Sequence, residues 1–184
     1  MLVRRSLAHA HLIAGDPDPH DDAFVEEALA RFIAFYKIHK LDFTYVYEGV
    51  VESLEQIRCR HTHLPMAVLT NKPVLPSRAI CSHFDFDRFF FRVYGGNSFV
   101  SKKPDPEGLL QLIHDASALD ASTPPIEPSE TIMIGDSNID VETARACGAR
   151  SLGCSFGLAP EALALSNPDR TVAHAREWPA ALGL

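Results

Sequence analysis

The sequence predicts an α/β protein, with a parallel sheet carrying helices on both faces and a separate helical piece ahead of it. From residue 50 onward, short apolar runs at residues 65–70, 131–134 and 150–154 alternate with segments of helical spacing. Strands that alternate with helices in this way lead to a parallel sheet. Residues 131–148, T-I-M-I-G-D-S-N-I-D-V-E-T-A-R-A-C-G, show one unit in full: an apolar strand, a tight turn, a helix and a closing glycine. Residues 1–43 stay outside the alternation, so the chain divides into a helical piece, 1–43, and an α/β core, 44–184.

In order, residues 1–14 read as a short amphipathic helix and residues 15–20, G-D-P-D-P-H, as a breaker loop. Asp21 or Asp22 then caps a long helix reaching His39. Its apolar face is Phe24, Ala28, Leu29, Phe32, Phe35 and Tyr36, which recur at helical spacing. A linker over 41–48 precedes a helix over 49–60 and a buried strand over 65–70. A turn at 71–73, a helix around 77–82 and an aromatic stretch over 84–91 follow, and a strand begins at Val93-Tyr94. The remainder reads as a helix over 107–117, a Pro-rich loop over 121–128, the strand–turn–helix unit, a strand over 150–154, a helix over 160–165 and an edge strand over 171–173.

Composition narrows the function. A 46 % hydrophobic and 22 % charged chain of 184 residues can bury a full core. A net charge of −7 argues against non-specific binding to nucleic acid or to an anionic membrane. Cysteines at 59, 81, 147 and 154 form no C-x-x-C pair, and reduced thiols point to a cytoplasmic protein. No apolar run approaches the ~20 residues that span a bilayer, and the N-terminus lacks the apolar stretch of a signal peptide.

The chemistry sits in three polar clusters that each follow an expected strand. Thr70-Asn71-Lys72-Pro73 follows M-A-V-L, Lys102-Lys103-Pro104-Asp105-Pro106 follows the loop over 95–101, and Asp136 and Asp140 follow T-I-M-I. A parallel sheet brings all three to one edge, the edge at which open α/β sheets bind ligands. A hydroxyl, an ammonium and two carboxylates suit a phosphate group: the threonine donates to a phosphoryl oxygen, the lysine offsets charge, and the acids hold a hard cation such as Mg²⁺. Lys72 and Lys102 read as solvated, and the pairs His9/His11 and His61/His63 as surface histidines.

With these motifs in order, the chain resembles the haloacid dehalogenase-like hydrolase superfamily, in particular its phosphoglycolate phosphatase branch. Ala67–Thr70, A-V-L-T, matches the strand ending in Thr or Ser, and T-N-K-P at 70–73 resembles that branch's version. Lys103-Pro104-Asp105-Pro106 matches the lysine before P-x-P, and G-D-S-N-I-D from Gly135 matches the acidic motif. Lys103 stands 33 positions from both Thr70 and Asp136. The resemblance implies a Rossmann-like core and a Mg²⁺-dependent phosphomonoester hydrolase working through an aspartyl phosphate on a small substrate such as 2-phosphoglycolate. It makes Thr70 and Lys103 catalytic and lets Thr70, Asn71 and Lys103 bind phosphate. Asp136 holds Mg²⁺, with Asp140 supporting the metal or Lys103. Residues 1–43 then resemble the later part of a helical cap.

One motif does not match. The family's nucleophile and general acid lie in D-x-D-G-T at the end of a first, central strand, and no such motif occurs here. Asp16-Pro17-Asp18 has the spacing but lacks G-T, and its proline removes a backbone donor that such a turn offers to phosphate. The expectation is therefore a chain truncated within the cap, with its central strand and nucleophile missing and with marginal stability. The competing expectations are an inactive remnant that serves as a weak binding or interaction module, or a pyrophosphatase or sugar-phosphate mutase on the same scaffold. Oligomeric state is not legible.

Overall fold

The computed structural model describes residues 3–4, 6–9 and 22–184. Two compact units emerge, Met1–Tyr45 and Val46–Leu184. In the first, helix α1 spans Asp22–His39, with Asp22 in its first turn and Lys37 and His39 in its last, as the helix dipole favours. Arg4 pairs with Asp22, and Arg31 with Glu27 one turn away at 2.7 Å. The expected apolar face is only partly covered: Val25 is the buried residue, whereas Phe35 is 64 % exposed. Phe32 stacks on Tyr36 and Phe35 on His39 instead. Asp16 and Asp18 lie outside the described residues.

The second unit contains α2 (Val50–Arg60), β1 (Ala67–Leu69), α3 (Val74–His83), β2 (Arg92–Tyr94), α4 (Glu107–Ser117), β3 (Ile132–Gly135), α5 (Asn138–Cys147), β4 (Arg150–Cys154), α6 (Pro160–Leu165), β5 (Arg170–Val172) and α7 (Trp178–Leu182). Every strand pair is parallel. β1 runs beside β2 with Val68 opposite Val93, and β4 lies between β3 and β5, with Ile134 opposite Leu152 and Cys154 opposite Val172. The strands thus form two sheets, β1-β2 and β3-β4-β5, and among the described residues no strand joins β1 to β3.

Alternation along β3 separates two layers. Met133 points into a cluster with Leu109 and Ile113 of α4 and Ala144 and Cys147 of α5. Ile132 and Ile134 pack instead around Leu152, Cys154 and Val172, together with Trp178 of α7. Leu69 of β1 leans on the first cluster, which carries the packing from one sheet to the other.

Three sequence expectations change. The strand at 65–70 shrinks to β1 and is half-buried rather than buried, because only one of its edges is paired. Helix α3 begins at Val74, ahead of the expected 77. Pro76 hid this start, yet a proline in the first turn forfeits no intrahelical bond. The C-terminal turn at Ala175–Glu177 and helix α7 had no sequence signal of comparable length.

Candidate functional site

Three loops that follow strands carry the polar residues. After β3, Gly135 allows close approach: a Cβ there would stand 2.3 Å from the Asp140 Cβ. Asp140, in the first turn of α5, turns back onto the loop and accepts from the Ser137 amide at 3.1 Å and the Ser137 hydroxyl at 2.7 Å, both on Oδ2. This reciprocal cap fixes the start of α5, and Gly148, at φ 79°, closes it.

The other oxygen of Asp140 faces Lys103, whose Nζ lies 2.6 Å from Oδ1. Both side chains are nearly buried, at 9 % and 11 % exposure, so the pair is held away from solvent screening. Lys103 precedes Pro104 through a cis peptide. Its carbonyl accepts from the Asn71 side-chain amide at 2.9 Å, tying the loop after β2 to the loop after β1. Thr70 Oγ1 accepts the Lys72 amide at 3.2 Å, a local turn that leaves the hydroxyl proton for a further acceptor.

These residues surround a cavity of about 310 Å³ lined by Asn71, Lys103, Asp136, Asp140 and the Gly135-Ser137 turn. Thr70 lines a small adjoining crevice with Asn71, Lys102 and Lys103. The sequence-derived residues thus come together, with Thr70 beside the main cavity rather than in it. Lys102 is exposed, as are His61 and His63.

Two features of the site were not legible in sequence. Asp136 Oδ2 accepts the Leu158 amide at 3.0 Å, from the loop after β4. That approach requires Gly157, where a Cβ would stand 2.2 Å from the Asp136 Cβ. The only prior signal was a glycine just past a strand. Cys154, at the end of β4, is the second: burial pushes its thiol up to about 11, the Trp178 indole works against the shift, and the Asp136 and Asp140 charges add to it. A thiol held protonated at neutral pH is no nucleophile.

The cavity brings one ammonium to two carboxylates, a surplus of negative charge that suits a cation. Asp140 spends both oxygens on Lys103 and Ser137, whereas Asp136 Oδ1 has no protein partner among the described residues. Mg²⁺ commonly takes one or two carboxylates and completes its shell with water and substrate phosphate, so the donor set fits it. No cluster of three His, Cys, Asp or Glu side chains able to hold a metal alone occurs among the described residues. None of the described helices is long and apolar enough to cross a membrane.

Comparison with known proteins shows the family and the fold. The family model for "haloacid dehalogenase-like hydrolase" matches residues 18–154. Phosphoglycolate phosphatase of Pseudomonas putida is 34 % identical over a match covering 85 % of this chain and 52 % of its own length. That of Rhodospirillum rubrum is 33 % identical, over 89 % of this chain and 63 % of its own. This chain therefore spans about half the length of the first of these relatives. Among solved structures, a "predicted phosphoglycolate phosphatase" from Haemophilus somnus superposes with a TM-score of 0.86 at 23 % identity, covering 98 % of this chain and 75 % of that one. A HAD-superfamily hydrolase from Geobacter sulfurreducens gives 0.71 at 24 %, covering 98 % and 72 %. At these identities the structural likeness speaks for the fold, and the family match speaks for descent: the chain belongs to the haloacid dehalogenase-like hydrolases.

Proposed function

We propose that this chain carries the phosphate- and metal-binding half of a Mg²⁺-dependent phosphomonoester hydrolase acting on a small phosphorylated acid of the 2-phosphoglycolate type. The carrying observation is the cavity where Asn71, Lys103 and Asp136 meet from three strand ends. In this reading Thr70 donates its free hydroxyl proton to a phosphoryl oxygen and Asn71 holds the neighbouring turn. Lys103 offsets phosphoryl charge, and its strong pairing with Asp140 keeps the ammonium in place. Asp136 is the carboxylate that takes Mg²⁺, and Asp140 supports it through Lys103. The ion, when bound, would offset charge on the phosphoryl oxygens.

Phosphoryl transfer also needs a nucleophile, and the two carboxylates lining the cavity are committed elsewhere. We place the nucleophile on a strand that fits between β1 and β3. The separation of the parallel strands into two sheets supports this, as does the greater length of the relatives. On this reading these residues bind phosphate and metal, and by themselves give background turnover. The direct test is hydrolysis of 2-phosphoglycolate with Mg²⁺ by this chain and by its Asp16→Asn variant. Background release from both is expected. Substantial turnover abolished by Asp16→Asn would place the nucleophile within the first unit and sink this assignment.

A further inference from the structure

We infer that Gly95, Gly96 and Asn97 form a clamp that sets the position of the Thr70-Asn71 turn, making them positioning residues for phosphate binding. The inference rests on the functional reading above, because it names what holds that turn. Three contacts compose the clamp. Gly96 donates its amide to the Lys72 carbonyl at 2.8 Å. Asn97 Oδ1 accepts the Val74 amide at 2.8 Å. Ser98 folds back on the loop, its hydroxyl oxygen accepting from Gly95 N at 3.0 Å.

The Asn97 bond caps α3 from outside the helix. Pro73 stands at the N-cap of α3 and supplies no side-chain acceptor, so the first-turn amide of Val74 finds its partner across the sheet. The glycines serve by absence of a side chain. A Cβ on Gly95 would lie 2.4 Å from Val74 N and 2.7 Å from Lys72 O. One on Gly96 would lie 2.3 Å from Asn71 O and 2.8 Å from its carbonyl carbon. Every one of these is a backbone atom, which cannot rotate away as a side-chain tip does. Neither glycine has a positive φ, so the demand is close approach and not an unusual backbone conformation.

The turn is therefore held on both sides. On one side the Asn71 carbonyl occupies the space a Gly96 side chain would need, and the next carbonyl, of Lys72, accepts the Gly96 amide. On the other the Asn71 side chain donates to the Lys103 carbonyl, and Lys103 continues to Asp140. Either alanine would bring a Cβ to 2.4 Å or less from backbone of the turn, so the turn must shift, which moves Thr70 relative to Lys103. Positions that must converge on one phosphoryl group tolerate little such displacement.

The test uses the full ¹⁵N-labelled chain with Gly96→Ala, Asn97→Ala and Asn97→Asp, the last of which keeps the acceptor. Amide exchange at Val74 is expected to quicken about fivefold to tenfold in Asn97→Ala, one hydrogen bond's worth, and to return toward wild type in Asn97→Asp. Titration with inorganic phosphate and Mg²⁺ should shift the Thr70–Lys72 amides of the wild type. The same titration should show affinity at least about fivefold weaker in Gly96→Ala and Asn97→Ala, with the β3 and β4 amides unmoved. Phosphate binding that survives both substitutions unchanged overturns the clamp. A wild-type chain without phosphate shifts overturns the functional reading, and with it the role assigned to the clamp, whatever the exchange rates show.

Discussion

Lys103 and Asp140 illustrate how one pair of residues serves both structure and site. Two nearly buried charges attract strongly, but each would be costly if left alone. Lys103→Met removes the cation and leaves the carboxylate with only Ser137. A loss of about 3 kcal/mol is expected from such an orphaned charge, read as a lowered urea midpoint for the second unit. The thiols give an independent check at the same scale. Burial raises Cys81, Cys147 and Cys154 above the ordinary thiol range, while Cys59 is exposed. Because the folded value exceeds the unfolded one, these thiols' contribution to stability is intact below pH 9.0, the value of a free thiol, and is lost as pH rises, for Cys154 toward about 11. Iodoacetamide at pH 8 should therefore label a single cysteine in the native chain and all four in denaturant. Residue identities at the site were readable because a hydroxyl, a lysine and two acids each follow a strand. The Asn97 cap and the Leu158 amide were not, because each joins segments that only the fold brings together.

Elements whose ends carry local signals were legible to the residue. Helix α5 has Ser137 before it and Gly148 after it, and α6 starts on Pro160. These ends depend on the chain's own neighbours and need no tertiary information. Gly148→Ala tests the point: φ 79° is unfavourable for alanine, yet its Cβ would meet nothing closer than 3.8 Å. The expected cost is about 1 kcal/mol, from backbone conformation alone, measured as a small fall in thermal midpoint with phosphate binding retained. Ser137→Ala should cost a similar amount, about 1 kcal/mol, but should also leave Asp140 Oδ2 with only the backbone amide of position 137 and so loosen Asp140 and weaken phosphate binding. A loss confined to stability in Ser137→Ala would show that Asp140 needs no help to hold Lys103. Two starts escaped: the opening of α3 hides behind Pro76, and α7 has Pro179 in its first turn and Gly183 after it but spans five residues, too few to show periodicity, and packs through Trp178 against the Leu152 cluster.

Across the whole molecule, the consequential feature is the division of the parallel strands. A strand directs alternate backbone groups to its two sides, and those of β1 and β3 that turn away from β2 and β4 have no strand partner among the described residues. Unpaired edges invite pairing between chains. The chain by itself is expected to self-associate at micromolar concentration and to melt broadly by circular dichroism. A monodisperse monomer with a sharp, high-temperature transition would refute this. What the sequence determined by itself was periodicity, helix ends and the order of the chemical motifs, since these are properties of neighbours along the chain. What tertiary structure decided was which oxygen of each acid is already spent, how the Gly95–Asn97 loop grips the Thr70–Asn71 turn, and where the sheet is open. Those are matters of distance between segments remote in sequence, fixed when the two apolar clusters pack and no sooner.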